Sequence, residues 1–210
     1  MGLGKTIQAI GALRVLGAAG LPALIVAPAG LVLQWRAQLR AWAPDLLLST
    51  AIGPAEERLT AWCRSADVYL TSYDSLLNDI LLRRPEGPRQ RDWAVVAIDE
   101  AQRIKNAHTH AAIAVKRLRR RRAWALTGTP LENRACDLIS ILEFVAPGRY
   151  QKSQMMVGLR RLLDETQIRR LRAEVLPDLP PKTGYTIDPG LLSSQRTAYD
   201  IAEHDGLVWL

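Results

Sequence analysis

Short apolar, β-branched runs alternate along the chain with stretches in which apolar residues recur every three or four positions. Ala23 to Ala27 (ALIVA) and Ala94 to Ile98 (AVVAI) lack apolar–polar alternation. Both therefore predict strands buried on two faces, as in a parallel sheet covered by helices. Further strands are expected at Leu46 to Ile52, Val68 to Thr71 and Ala123 to Thr127. The intervening periodicity predicts helices at Ile7 to Leu16, Leu31 to Trp42, Ala55 to Arg64, Tyr73 to Leu82, His110 to Arg119 and Arg134 to Phe144. This alternation predicts an α/β fold, a mostly parallel sheet with helices on both faces. Right-handed crossovers would gather the carboxyl ends of the strands, and with them the site, along one edge.

The polar, proline-bearing segment Arg83 to Asp92 reads as a surface loop. After Pro147 and Gly148 the texture changes to an Arg-rich helical stretch, Gly158 to Leu176. Pro177 to Thr183 (PDLPPKT) reads as a linker before a new strand at Gly184 to Ile187. The expected organisation is a first lobe over 1–148, a helical linker region over 149–183 and the beginning of another lobe over 184–210.

Composition narrows the partners. With 210 residues, 48% of them hydrophobic, the chain can bury one sizeable core. No apolar run reaches the length of a membrane span and no charged leader precedes the first apolar stretch, so a cytoplasmic location is expected, nucleoid-associated if bacterial. Cys63 and Cys136 lie far apart, and His108, His110 and His204 offer no zinc spacing. The formal charge of +7 suits a polyanion. Its densest run, Arg117 to Arg122 (RLRRRR), reads as the end of the helix beginning at His110, where cations complement the helix dipole.

Three polar turns carry the candidate chemistry. Met1 to Thr6 (MGLGKT) is the closing half of the phosphate-loop pattern GxxxxGK[ST]. In that pattern backbone N–H groups cradle phosphates, the Lys reaches the β/γ-phosphates and the hydroxyl residue binds Mg²⁺. Gly2, Leu3, Gly4, Lys5 and Thr6 are thus nucleotide-binding candidates. Directly after AVVAI come Asp99 and Glu100. A carboxylate there can hold Mg²⁺ together with Thr6, and Glu100 can orient and deprotonate an attacking water. The third turn, Thr127 to Pro130 (TGTP), again leaves an apolar strand. Its hydroxyls, on Thr127 and Thr129, can hydrogen-bond the Asp99–Glu100 turn and report whether γ-phosphate is present.

MGLGKTIQ, IDEAQRIKN and LTGTPLEN, in this order, resemble motifs I, II and III of Snf2-family ATPases, within helicase superfamily two. LIVAPAGLVLQWRAQLRAWAP resembles the family's motif Ia region, VYLTSYDSLL its following block, and EVLPDLPPKT its crossing between RecA-like lobes. The resemblance spans roughly residues 1 to 200 and implies a P-loop, RecA-like lobe of a DNA-dependent ATPase that moves along double-stranded DNA to remodel nucleosomes or displace bound proteins. Carried over by position, it makes Lys5 and Glu100 catalytic, Thr6 and Asp99 the Mg²⁺ ligands, and Gln102, Thr127, Gly128 and Thr129 the coupling residues. DNA contacts would come from Pro28 to Trp35 and from Thr71, Ser72 and Tyr73, through backbone amides and hydroxyls, with Arg103 and Lys105 following the family pattern. Trp35 fits a core position on a helix face equally well.

The sequence also departs from the family. The adenine-recognition segment, the front of the phosphate loop and its strand are expected to precede Met1, and motifs IV to VI to follow Leu210. An arginine supplied by the other lobe is worth about 10³–10⁵ in turnover in comparable phosphoryl transfer, so this stretch alone is expected to be an incomplete, poorly active piece that needs a second RecA-like lobe. RRLR at Arg169 to Arg172 stands where the family has RRTK. A degenerate, non-catalytic lobe that binds DNA or protein is one alternative; a superfamily-two RNA helicase is another, and the extensions RIKN and LEN argue against it.

Overall fold

The computed structural model describes residues 3–16, 22–81, 87–128, 135–149, 157–170, 184–185 and 190–204. It divides into two compact units, Met1–Arg172 and Ala173–Leu210.

The first unit is built on five strands: β1 (Ala23–Ala27), β2 (Leu48–Ala51), β3 (Val68–Ser72), β4 (Asp92–Ile98) and β5 (Arg119–Ala125). Their order is β2-β3-β1-β4-β5, and every pairing is parallel. Among the described residues its α-helices are α1 (Lys5–Leu16), α2 (Val32–Trp42), α3 (Ala55–Cys63), α4 (Tyr73–Leu81), α5 (His110–Lys116), α6 (Ala135–Val145) and α7 (Val157–Thr166).

Alternate strand residues feed two separate apolar layers. On one face Ile25, Leu70, Val95 and Ala97 meet Ile10 and Leu13 of α1 and Val32, Trp35 and Leu39 of α2. On the other, Leu24, Val26, Val96 and Ile98 meet Trp62 of α3, Leu76 and Ile80 of α4, Val115 of α5 and Phe144 of α6. The unbroken apolar runs of β1 and β4 follow from this two-sided burial. Within the second layer Arg58 and Asp79, 7% and 6% exposed, form a buried ion pair between α3 and α4.

The structure reverses the expected reading of the basic run. Only the first residue of the basic run, Arg117, ends a helix, as the C-cap of α5. α5, capped by the Thr109 hydroxyl accepting from the Ala112 N–H, stops at Lys116, and Arg119 already opens β5. In the strand Arg119 falls opposite Asp92 in register and pairs with its carboxylate at 3.2 Å. Arg120 donates to the Phe144 carbonyl at the end of α6 and stacks on the Phe144 ring, 4.4 Å from its centroid. β5 is an edge strand among the described residues, a place where charge is tolerated. It also ends two residues earlier than expected, which leaves Leu126 and Thr127 beyond the ladder.

The first unit includes α7, whose Leu163 packs on Leu142. Of the Arg-rich stretch, the part up to Thr166 is helical and Gln167 to Arg170 are not, while residues 171–176 lie outside the described residues. In the second unit α8 (Ser193–His204) is a solvated helix with an Arg196–Asp200 pair. Gly184 and Tyr185 are not in a strand, and Thr186 and Ile187 lie outside the described residues, as do Gly2, Thr129, Pro130 and the segment 177–183. Among the described residues no helix is long and apolar enough to cross a membrane.

Candidate nucleotide site

In parallel register Ala27 lies opposite Ser72, Val26 opposite Ile98, and Ile98 opposite Ala125. Pro28, Tyr73, Asp99 and Leu126 therefore leave four adjacent strands along one edge. The Asp99 N–H donates to Val26 O at 2.8 Å, the Leu126 N–H to Ile98 O at 2.8 Å and the Ala101 N–H to Leu126 O at 2.9 Å, so the turns interlock. Glu100 alone among the described non-glycine residues has positive φ, 49°, in the left-handed region. Such a conformation costs about 1–3 kcal/mol and persists where its surroundings enforce it. Here it breaks β4 and starts the 3-10 turn Ala101–Ile104.

α1 delivers the phosphate loop to the same edge. Its last residues, Leu13 and Leu16, line a cavity with Ala23 and Asp92 at the amino ends of the strands, whereas its first, Lys5, lines one with Thr127 and Gly128 at their carboxyl ends. Gly4, at φ 69°, makes a turn into the helix that a side chain would strain. The Gln8 side chain donates back to Leu3 O at 2.8 Å, holding the end of the loop. The first N–H groups of a helix have no partner within it, so the start of α1 offers donors to an anion.

The Lys5 cavity encloses about 580 Å³. Lys5, Arg169 and Arg170 are its charged lining residues, and no carboxylate lines it among the described residues. A polyphosphate fits that electrostatic environment. Neither arginine was a candidate, because RRLR read as part of a helix; the chain instead leaves α7 at Thr166, and Arg170 reaches Gln8 at 3.1 Å.

A polar chain links this cavity to the carboxylates. The Thr127 hydroxyl donates to Gln102 Oε1 at 2.9 Å, and Gln102 Nε2 donates to Glu100 Oε2 at 2.5 Å. Asp99 is buried, with 7% exposed. Its Oδ1 accepts the Glu100 N–H at 2.9 Å and its Oδ2 the Trp35 indole N–H at 2.7 Å. Each oxygen keeps a lone pair, and no Lys or Arg pairs with Asp99 among the described residues. A buried carboxylate with spare lone pairs and no cationic side chain fits a hard divalent ion such as Mg²⁺.

The proposed DNA contacts divide. Arg103 and Lys105 are exposed and Pro28 is half-buried. Trp35, Thr71, Ser72 and Tyr73 are 2%, 0%, 5% and 2% exposed, and their polar atoms are turned inward. Thr71 donates to Ala51 O at 2.7 Å, Ser72 shares hydrogen bonds with Ser75, and the Tyr73 hydroxyl donates to Asp99 O at 2.8 Å. Burial raises the Tyr73 phenol above its ordinary range, with the nearby Asp99 and Glu100 charges adding and Arg103 opposing. It therefore remains a donor. All four side chains belong to the interior.

Comparison with known proteins now bears on this arrangement. The SNF2-related domain profile matches residues 1–208. The chain belongs to the SNF2-related domain family. Helicase ssl-1 of Caenorhabditis elegans is 32% identical over 95% of this chain, which covers 9% of that protein. The putative ATP-dependent helicase/translocase YwqA of Bacillus subtilis is 34% identical over 87% of this chain and is itself covered to 20%. Among solved structures, a Sulfolobus solfataricus SWI2/SNF2 ATPase core in complex with double-stranded DNA matches with a TM-score of 0.72 and 31% identity, over 86% of this chain and 41% of that one. This chain thus spans a fifth or less of these two curated relatives and 41% of the solved core. The parallel five-stranded sheet with its flanking helices is the RecA-like architecture of SWI2/SNF2 cores.

Proposed function

We propose that this chain is the first ATP-binding lobe of an ATP-dependent translocase on double-stranded DNA, of the type that displaces or remodels DNA-bound proteins. The interlocked sheet edge carries the reading. One end of it offers a helix N-terminus with Lys5 over a cationic cavity, the other a buried Asp99 and the strained Glu100, with Gln102 and Thr127 between. Family membership supports ATP use, and the relatives' names point to helicase and translocase activity.

In this reading Lys5, with the first N–H groups of α1, binds the β- and γ-phosphates. Thr6 and Asp99 hold Mg²⁺, which would neutralise charge on the phosphates. Glu100 orients water and accepts its proton, while Gln102 relays to Thr127 whether the γ-phosphate is in place. Arg103 and Lys105 lie exposed for the DNA backbone, and a second RecA-like lobe completes the site.

The test is Mg·ATP hydrolysis with and without double-stranded DNA, on the full-length polypeptide carrying this segment. Lys5→Ala is expected to lower DNA-stimulated turnover about 10²-fold. Equal turnover in the variant would sink the phosphate-loop assignment. Absence of duplex stimulation would sink the translocase reading, and stimulation by RNA alone would favour an RNA helicase.

A further inference from the structure

We propose that Trp35 and Tyr73 are positioning residues that hold Asp99 in place for a divalent cation. The proposal rests on the nucleotide-site reading and deepens it. Trp35 sits on α2 in one apolar layer, and Tyr73 opens α4 in the other. Asp99 is therefore held from both faces of the sheet. The indole N–H reaches the carboxylate Oδ2 at 2.7 Å, and the phenol O–H reaches the Asp99 carbonyl at 2.8 Å. With the Glu100 N–H on Oδ1, the carboxylate plane has a donor on each oxygen and its backbone a third anchor. Rotation of the carboxylate would break at least one of these bonds. Partners of this kind orient a metal ligand, and their loss typically weakens metal binding about 10–100-fold.

The arrangement also places Asp99 against the two segments from which DNA contact was expected. Trp35 follows the turn Ala29–Leu31, whose Ala29 and Gly30 are exposed, and Tyr73 follows Thr71 and Ser72. These aromatic side chains join those segments to Asp99 from beneath the surface, Trp35 at its carboxylate and Tyr73 at its backbone carbonyl.

Binding of N-methylanthraniloyl-ADP, followed by fluorescence in EDTA and at rising MgCl₂, tests the proposal on the full-length polypeptide. Trp35→Phe keeps an aromatic ring and removes the donor. It is expected to raise the Mg²⁺ concentration at half-effect about tenfold, with nucleotide affinity in EDTA within about twofold of wild type. Tyr73→Phe is expected to shift the Mg²⁺ dependence in the same direction by about threefold. If Trp35→Phe fails to fold by circular dichroism, Tyr73→Phe decides by the same criterion. An unchanged Mg²⁺ dependence would overturn the proposal, as would an equal loss of affinity with and without metal, which a packing defect produces. Loss of duplex-DNA affinity in EDTA with Mg²⁺ dependence intact would make these residues DNA contacts and overturn it too. A wild-type protein with no Mg²⁺-dependent binding would refute the nucleotide site itself and the proposal with it.

Discussion

Two buried aspartates in this lobe are alike until their partners are compared. Asp79 is 6% exposed and accepts the Trp62 indole N–H at 2.8 Å; Asp99 is 7% exposed and accepts the Trp35 indole N–H at 2.7 Å. Asp79, however, also receives Nε and Nη2 of Arg58 at 2.8–3.0 Å, a forked, charge-matched pair within the protein. Asp99 has no such partner among the described residues. Burying an uncompensated carboxylate is costly, so Asp79 reads as structure, whereas in the proposed function Asp99 takes its counter-charge from Mg²⁺. The difference lies in one side chain.

That contrast can be broken at the ion pair first. Arg58→Met keeps the bulk of the side chain and leaves the Asp79 carboxylate buried against an indole alone. It is expected to cost about 3–5 kcal/mol in the free energy of urea unfolding. A loss under about 1 kcal/mol would mean that water reaches Asp79, and the comparison would fail.

Trp62→Phe is the next probe. It removes a donor to a charged acceptor and trims a ring that stacks on Tyr69 at 5.7 Å between centroids. A loss of about 2–3 kcal/mol is expected, again by urea unfolding, and Mg²⁺-dependent nucleotide binding should be unaffected. A weakened Mg²⁺ dependence would show that the two aspartates are not separate in function.

The smallest expected change in stability belongs to Asp99→Asn. Removing a buried charge with no countercharge should leave unfolding free energy within about 1 kcal/mol of wild type, or raise it, while abolishing the Mg²⁺ dependence of nucleotide binding. Destabilisation as large as that of Arg58→Met would place Asp99 among the structural ion pairs instead.

Much of the fold was legible because its strands are buried on both faces. ALIVA and AVVAI lie within β1 and β4 at their predicted places, and α2, α3 and α4 match expectation to within a residue at each end. Arg119 to Arg122 were misread because local sequence favours a helix end, whereas an in-register partner, Asp92, lies far back in the chain. Gln102 was singled out by its place after Asp99 and Glu100, and its hydrogen bonds to Thr127 and Glu100 are seen only in the structure. Trp35 was ambiguous, since a tryptophan on a helix gives no sign of where its N–H points. Arg170 gave no signal, because its contact with Gln8 spans most of the lobe.

By itself, then, the sequence determined the alternation of strand and helix, the parallel sheet and the three polar turns, because each depends on patterns a few residues long. Tertiary structure alone decided which buried carboxylate lacks a cationic partner among the described residues, which arginines line the cavity with Lys5, and which aromatic donors grip Asp99. Those choices depend on residues brought together from distant parts of the chain, and no local periodicity encodes them.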